Sequence, residues 1–453
     1  MANQFQAPKG TRDFYPEEMA VRRYIEDVWR RVSIRHGFQE VDGPTFESLD
    51  LYKVKSGEEI VSQLFSFKDR GERDLALRPE FTPTLARMVV EKAASLPKPI
   101  KWFSIPRCYR AEQPQKGRLR EFGQWNIDII GDATDRADRE CLAVCIDALL
   151  ELGLKPDDFK IGWNHREILT KALVSTFVKP DHINDAYYIL DKLPKLDKAG
   201  RKALYKRRGC SDEEEKYYDL IAEAIGTNID AKERISYEMR IRKDWPRVVN
   251  DQIETIKANL ESIGLGNFCR FDIGIVRGLA YYTGFVFEVT DAKGENRAIV
   301  GGGRYDELIK TFGGPSLPAI GFGMGDVVLE IVLYERGLLP DKLTPAPDVF
   351  IINALDGTKE LEVLLKDFRR SKFDNSGKII VRSGLFTQAS YKATKNIGKL
   401  LQEAAASGAR FAVILAPDEI GRGMVKLKDM DRRNEEDVPV ADVVNKVHAL
   451  LVG

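Results

Sequence analysis

Cysteine and histidine are scarce: Cys108, Cys141, Cys145, Cys210 and Cys269, with His36, His165, His182 and His448, are all there are in 453 residues. No CxxC spacing occurs. Cys141 and Cys145 stand one helical turn apart in "CLAVCIDALL" with no further cysteine or histidine near, so they read as helix packing rather than half a zinc site. No histidine falls in a metal or triad spacing, and none is assigned catalysis. The lack of a cysteine framework points to a reducing, cytoplasmic compartment. No run approaches the ~18 apolar residues of a membrane span. The opening "MANQFQAPKGTRDFYPEEM" has no basic end followed by an apolar core, so neither a leader nor a membrane partner is expected. Charge of one sign is also lacking, with 70 acids against 70 bases. Overall charge announces no nucleic-acid partner; any such partner must be met by local patches.

The composition, 43% hydrophobic and 31% charged, is that of a globular protein. The length exceeds what one hydrophobic core supports, so two or three domains are expected. "EEMAVRRYIEDVWRRVSIRHG" has helical periodicity and a glycine stop. "QLFSFKD", "LALRPEFTP", "IKWFSIPRCYR" and "REFGQWNIDIIG" read as strands, with helices at "TPTLARMVVEKAASL" and "DRECLAVCIDALLELG". Hairpin-like connections among them favour an antiparallel or mixed sheet over a parallel one. From Asp181 to Gly264 the pattern is helical and charged. Strands return in "FCRFDIGIVRGLAYYTGFVFEVT" and "RAIVGGGRYDELI", so the helical stretch reads as an insertion within one domain. "ERGLLPDKLTPAPD" reads as a linker. Beyond it "VFIINA", "KIIVRSG", "RFAVILA" and "GMVKLKDM" alternate with three helical segments as a small α/β domain.

Chemistry concentrates in "YRAEQPQKGRLREFGQWNIDIIG". Arg110, Lys116, Arg118 and Arg120 surround a Pro/Gly turn between strands. Arg110 closes an apolar strand, where a guanidinium needs an anionic ligand or an internal acid. "DIGIVRGLAYYTGFVFEV" repeats the pattern, with Arg277 and Gly278 interrupting a strand ahead of Tyr281 and Tyr282. Glycine inside a strand often marks close approach of a ligand. Glu80 and Thr82 of "LRPEFT" are suited to hold an ammonium group, and Asp128 to accept a proton from a ring nitrogen. "PAIGFGMGDVVLEIVL" places Gly321, Gly323 and Gly325 before an apolar run, without a GxGxxG fingerprint or a Walker lysine.

These segments together resemble the histidyl-tRNA synthetases, class II aminoacyl-tRNA synthetases, from "KGTRDF" to the C-terminal domain. "GPTFE", with Pro44, is similar to the family's first motif, a dimer-interface element; "YRAEQPQKGRLREFGQ" resembles the second. "RGLAYYTG" and "GGGRYD" resemble its two histidine-specific signatures. The resemblance implies an α+β fold: an antiparallel catalytic sheet of six strands flanked by helices, a helical insertion, and a C-terminal α/β anticodon-binding domain. The implied boundaries are 1–170 and 265–335 for the catalytic domain, 171–264 for the insertion, and 346–453 for the anticodon domain. The implied reaction joins L-histidine to the 3′ end of tRNA(His) through a histidyl-adenylate made from ATP, with Mg²⁺, in a homodimer.

By position, Arg110 and Arg277 are the implied catalytic cations, Arg277 also meeting the histidine carboxylate. Glu80, Thr82 and Gln124 are implied for the amino-acid end, with Asp128, Tyr281 and Tyr282 reading the imidazole. Arg110, Glu112, Arg118, Phe122, Gly323 and Gly325 are implied for ATP, and Gln115 and Arg118 for the acceptor end of the tRNA. No metal ligand is assigned. After Gly325 the family has Glu and Arg, where this chain has Val327 and Val328. Either another arginine, with Arg118 and Arg120 nearest, carries that charge, or ATP binds differently. The basic run Lys192 to Arg208 reads either as a solvated helix face or as a patch for tRNA phosphates. A regulatory paralogue, the non-catalytic partner of ATP phosphoribosyltransferase in histidine biosynthesis, shares the catalytic-domain pattern. It characteristically lacks the anticodon domain and some catalytic residues, whereas this chain has a domain after Pro345 and retains Arg110, Glu80 and Arg277.

Overall fold

The computed structural model describes residues 5–56, 58–225, 231–276, 282–294, 296–370, 372–373, 379–381 and 384–452. The chain forms two compact units, the first ending at Asp341 and the second beginning at Lys342, inside the proline-bearing linker.

The first unit is built on a nine-stranded sheet. Its strands, numbered in chain order, are β1 (Gln39–Glu40), β2 (Ile100–Ser104), β3 (Arg107–Tyr109), β4 (Glu121–Ile130), β5 (Phe159–His165), β6 (Cys269–Phe271), β7 (Phe285–Asp291), β8 (Val300–Arg304) and β9 (Ala319–Gly325). The order is β1-β2-β4-β9-β8-β7-β5-β6, with β3 on the end of β4. Neighbours from β2 through β5 are all antiparallel, while β1 and β6 add parallel edges. The sheet is therefore mixed, with the expected run of six antiparallel strands at its centre. Helix Thr82–Lys92 packs in the cluster with Tyr282 and Tyr305, and helices Pro16–Arg35 and Asp135–Glu151 contribute to the large core cluster that includes Trp125 and Phe322.

Alternation along β4 and β9 separates core from site. Trp125, Phe322 and Trp29 pack together, with ring centroids 5.8 Å apart for Trp29–Trp125 and 5.1 Å for Trp125–Phe322. Both indoles are fully buried, and each finds a partner for its N–H: Trp29 on Met324 Sδ and Trp125 on Ser33 Oγ. Such pairs add ~0.5–1.5 kcal/mol each beyond area burial. The residues between them, with side chains on the other face, are the ones that meet the cavity described below.

The stretch from Asp181 is helical as expected, with Ile183–Lys192, Lys198–Arg208, Asp212–Ala224, Ala231–Arg242 and Arg247–Ser262. Local chemistry sets two of its starts. Asp197 caps Lys198–Arg208 through Gly200 N, and Ser211 forms a reciprocal capping box with Glu214. In the basic run, Arg208 pairs with Asp185 at 2.6 Å and lies over the Tyr188 ring, while Lys206 and Arg207 are exposed.

The second unit has a five-stranded sheet, in the order Thr387–Ala389, Val349–Asn353, Phe411–Leu415, Met424–Asp429, Glu435–Pro439, the first three parallel. Two local expectations change. Of "KIIVRSG", Ile379–Val381 pairs with Lys372–Phe373 in a separate two-stranded sheet, and Thr387–Ala389 takes the place beside Val349–Asn353. The helix expected over "YKATKNIGKLLQEAAASG" begins only at Ile397, where Asn396 accepts from Lys399 N as cap.

Candidate active site

A cavity of about 530 Å³ lies over β4, β9 and β8. Its floor is paved with glycine. Gly321 of β9 is opposite Asp128 of β4 and Gly303 of β8, and Gly323 is opposite Asn126 and Gly301. A Cβ on Gly321 would stand 2.4 Å from both Asp128 Oδ1 and the Ile127 carbonyl oxygen, and one on Gly323 would stand 2.7 Å from Gln124 Nε2. These glycines make room for two polar side chains rising from the neighbouring strand. At Gly325 a Cβ would meet nothing within 4 Å, so there the strand lies bare to the cavity.

One wall is the loop between β3 and β4. Gln115 and Arg118 close a two-residue turn through reciprocal backbone hydrogen bonds of 3.0 and 2.8 Å, and Gly117 takes φ +74°, a left-handed conformation that suits glycine. Arg118 pairs with Glu112, and Arg120 donates Nε to the Glu112 carbonyl at 3.2 Å. Arg110 donates Nε to the Pro79 carbonyl at 3.1 Å and sits 5.2 Å from the Phe122 ring centroid. That bond ties the guanidinium to the loop carrying Glu80 and Thr82. The loop is itself clamped by buried Arg78, which donates to Arg107 O, Asp42 and Gly43 O at 2.8 to 2.9 Å. A planar aromatic beside a fixed arginine suits a base and its phosphate.

At the other end Tyr305 donates its hydroxyl to Asp128 Oδ1, both residues being buried. Burial, with Asp128 next in importance, pushes the Tyr305 phenol well above its ordinary range, so it stays a donor. Tyr282 packs in the same cluster as Tyr305.

Of the residues singled out from sequence, Glu80, Thr82, Arg110, Arg118, Phe122, Gln124, Asp128, Tyr282, Gly323 and Gly325 line this one cavity. Glu112 and Gln115 do not, lying instead in the loop that carries Arg118. Arg277 and Tyr281 lie outside the described residues. Arg120, expected as a substitute cation, is not among the lining residues either. Among the polar side chains of the lining, Asn126, Tyr305, Glu288 and Arg297 were given no role by the sequence reading. Tyr305 stands inside "GGGRYD" and could have been found there. Buried Arg304 of the same motif is structural, paired with Asp138 at 2.7 Å and donating to the carbonyls of Asp132 and Thr134.

A family model described as Histidyl-tRNA synthetase matches residues 10–326, and one described as Anticodon binding domain matches residues 355–450. The chain belongs to the histidyl-tRNA synthetase family. A histidine–tRNA ligase of Opitutus terrae is 39% identical over 440 residues, 96% of either chain. One of Leptospira biflexa is 36% identical over 449 residues, 97% of this chain and 96% of its own. Among solved structures, the histidyl-tRNA synthetase of Nostoc sp. PCC 7120 superposes with a TM-score of 0.73 at 25% identity, covering 98% of this chain and 99% of its own. As a member of this family the chain is an aminoacyl-tRNA synthetase, and the cavity on its sheet is the candidate place for the chemistry. Among the described residues no group of three or more His, Cys, Asp and Glu is placed to hold a metal, and no helix is long and apolar enough to cross a membrane.

Proposed function

We propose that this cavity binds L-histidine and ATP side by side, makes histidyl-adenylate, and passes the histidyl group to the 3′ end of tRNA(His). The observation that carries the reading is the joining, over one glycine floor, of a buried Asp128–Tyr305 pair with an Arg110–Phe122 pair. A neutral imidazole offers one donor and one acceptor, so a pocket selective for it supplies a partner to each. Asp128 would accept from the ring N–H, and Tyr282 would face the other nitrogen. Glu80 and Thr82 would hold the ammonium group, and Phe122 would stack on adenine.

The histidine carboxylate, with a pKa near ~3.5, is ionised at neutral pH, attacks the α-phosphorus of ATP without a general base, and expels pyrophosphate as the bond from the α-phosphorus to the bridging oxygen breaks. The barrier lies in bringing two anions together. Arg110, and Arg277 from its place in the sequence, would neutralise the charge that develops. Mg²⁺ arrives with ATP and needs only one or two protein carboxylates beside phosphate oxygens and water. Glu288 in the cavity wall fits that role. Gln115 and Arg118 would meet the acceptor end of the tRNA. In this reading 171–264 is an insertion, 346–453 binds the anticodon, and two copies pair in the cytoplasm, covering Phe46 and Phe67, which are half exposed with ring centroids 6.0 Å apart.

Histidine-dependent ATP–pyrophosphate exchange tests the reading directly, and Arg110→Ala is expected to slow it by ~10²–10³, the scale for removing one preorganised charge-stabilising donor. A purified wild-type chain that exchanges nothing would favour the regulatory paralogue. Against that second reading stands the match of residues 355–450 to an anticodon-binding model.

A further inference from the structure

Where the family places an arginine after its last glycine, this chain has Val328, a buried valine in the cavity wall. We infer that Arg297, from the strand lead on the opposite side of the Gly117 turn, supplies the missing cation to the terminal phosphates of ATP. This rests on the reading of the cavity as an ATP site.

The position comes from one small contact. A Cβ placed on Gly117 would stand 3.2 Å from Val328 Cγ2, 3.5 Å from Arg297 Cδ and 3.7 Å from Arg297 Cγ. The aliphatic stem of Arg297 and the isopropyl group of Val328 therefore lie against the same glycine. An arginine stem along an apolar neighbour with its head free is a stable arrangement. The Arg297 stem thus stands beside the place a longer side chain at 328 would fill, and both residues line the same cavity.

That placement is braced from behind by one carboxylate. Glu335 ends the helix Asp326–Glu335, whose first turn carries Val328. It accepts from Asn296 Nδ2 at 3.0 Å, next to Arg297, and from Lys116 Nζ at 3.1 Å, next to Gly117. Ile299 N bonds to Val289 O at 2.8 Å and fixes the entry into β8. The three walls meeting at this corner are thus tied to each other.

Charge points the same way. Arg118 is engaged by Glu112, whereas Arg297 makes no ion pair or hydrogen bond with any described residue. Burial first, and then the nearby Arg118 guanidinium, lower the Arg297 pKa, with Arg110 acting in the same sense and Glu112 and Glu288 opposing. Three guanidiniums grouped at one wall are relieved by a polyanion more than by any single acid. Arg120, the other arginine of the loop, is turned to the Glu112 carbonyl and does not line the cavity.

The test is pyrophosphate exchange by the full chain, with Michaelis constants for ATP, pyrophosphate and histidine measured separately. Arg297→Ala is expected to raise the constants for ATP and pyrophosphate by ~10–100-fold, the scale of one charge-assisted hydrogen bond. Histidine should stay within about twofold, and so should inhibition by AMP, which lacks the terminal phosphates. Arg297→Lys should fall between. The double variant Arg297→Ala with Val328→Arg should regain part of the loss by returning the cation from the other side, which a merely structural role for Arg297 would not allow. If Arg297→Ala does not fold, Arg297→Gln, of similar length, carries the same comparison. ATP and pyrophosphate constants unchanged in an active variant would overturn the inference and leave the proposed function standing. A wild-type chain without exchange would remove both.

Discussion

Arg12, near the start of the chain, pairs with Asp326 at 2.7 Å and with Glu330 at 2.8 Å, joining the "KGTRDF" segment to the helix that follows the glycine strand. Asp326 is buried beside Gly123, where an added Cβ would come within 3.2 Å of its carboxylate. Burial pushes its pKa up while Arg12 and Arg107 pull it down. Removing Arg12 would leave a buried carboxylate with the Gly123 N–H and, as the remaining cation, Arg107 at 3.8 Å. Arg12→Ala is expected to cost ~2–3 kcal/mol, less than a fully dry pair because Arg107 remains. Denaturant unfolding of Arg12→Ala, Asp326→Asn and the double variant measures it. Asn at 326 carries no charge to strand, so the double variant should be clearly more stable than the sum of the two singles.

The glycines of β9 separate room from reach. Gly321→Ala brings a methyl to 2.4 Å from a backbone oxygen that cannot move aside, while Gly323→Ala meets only the end of the Gln124 side chain and Gly325→Ala meets nothing within 4 Å. Overpacking of the first kind costs ~1–3 kcal/mol and displaces Asp128. Thermal melts should rank Gly321→Ala well below Gly323→Ala, with Gly325→Ala at wild type. Exchange kinetics of Gly321→Ala should show a raised histidine constant. Equal melting temperatures for all three would remove the glycine floor from the account.

The Tyr305 hydroxyl bonded to Asp128 is the next discriminating contact. Tyr305→Phe keeps the ring in its apolar cluster and removes one hydrogen bond from a buried carboxylate, at a cost of ~1–3 kcal/mol. The histidine constant should rise by about 10-fold or more, with the ATP constant close to wild type. A loss shared equally between both substrates would make Tyr305 a packing residue only.

What the sequence told and withheld follows from range. Strand β4 and the alternate glycines Gly321, Gly323 and Gly325 were legible because period-two patterns and Gly spacing are local signals, whereas the strand β9 that carries those glycines was not marked as one by the residues alone. Glu80, Arg110 and Asp128 were legible through spaced motifs and the family they resemble. The parallel edge β1, of two residues, carries too little pattern to be read, and β6, of three, is legible only as part of a longer strand-rich stretch that says nothing of its parallel pairing. Arg297 was missed because nothing local marks it. Its meaning depends on Gly117 and Val328, which meet it only after the sheet has closed. Arg118 and Arg120 are the expected candidates for their place in the motif loop; Arg118 lines the cavity but pairs with Glu112, and the Arg120 side chain turns to the Glu112 carbonyl instead.

A cluster distant from the cavity gives a pH prediction. His36 has Glu140 at Nδ1, 3.2 Å away, and Asp147 at Nε2, 2.9 Å away, while Lys101 Nζ bonds to the His36 carbonyl and to Glu140. Only the protonated ring donates to both carboxylates. The hydrogen bond to Glu140 is the main cause that raises the His36 pKa above 6.5, and the same bond is the main cause that lowers Glu140 to about 2. For a raised histidine, the stabilisation is complete below the unfolded value of 6.5 and disappears as pH rises through the folded value. For the depressed glutamate, it is present above 4.5 and disappears only as pH falls toward about 2. Both contributions therefore coexist between these limits. His36→Gln, which keeps one donor but no charge, is expected to lose about 1 kcal/mol near pH ~5.5, the ring being partly open to solvent, and to converge on wild type once pH has risen past the raised His36 value. Chemical denaturation of the two proteins across that range measures the difference, and a gap that stays constant with pH would show that the His36 charge contributes nothing.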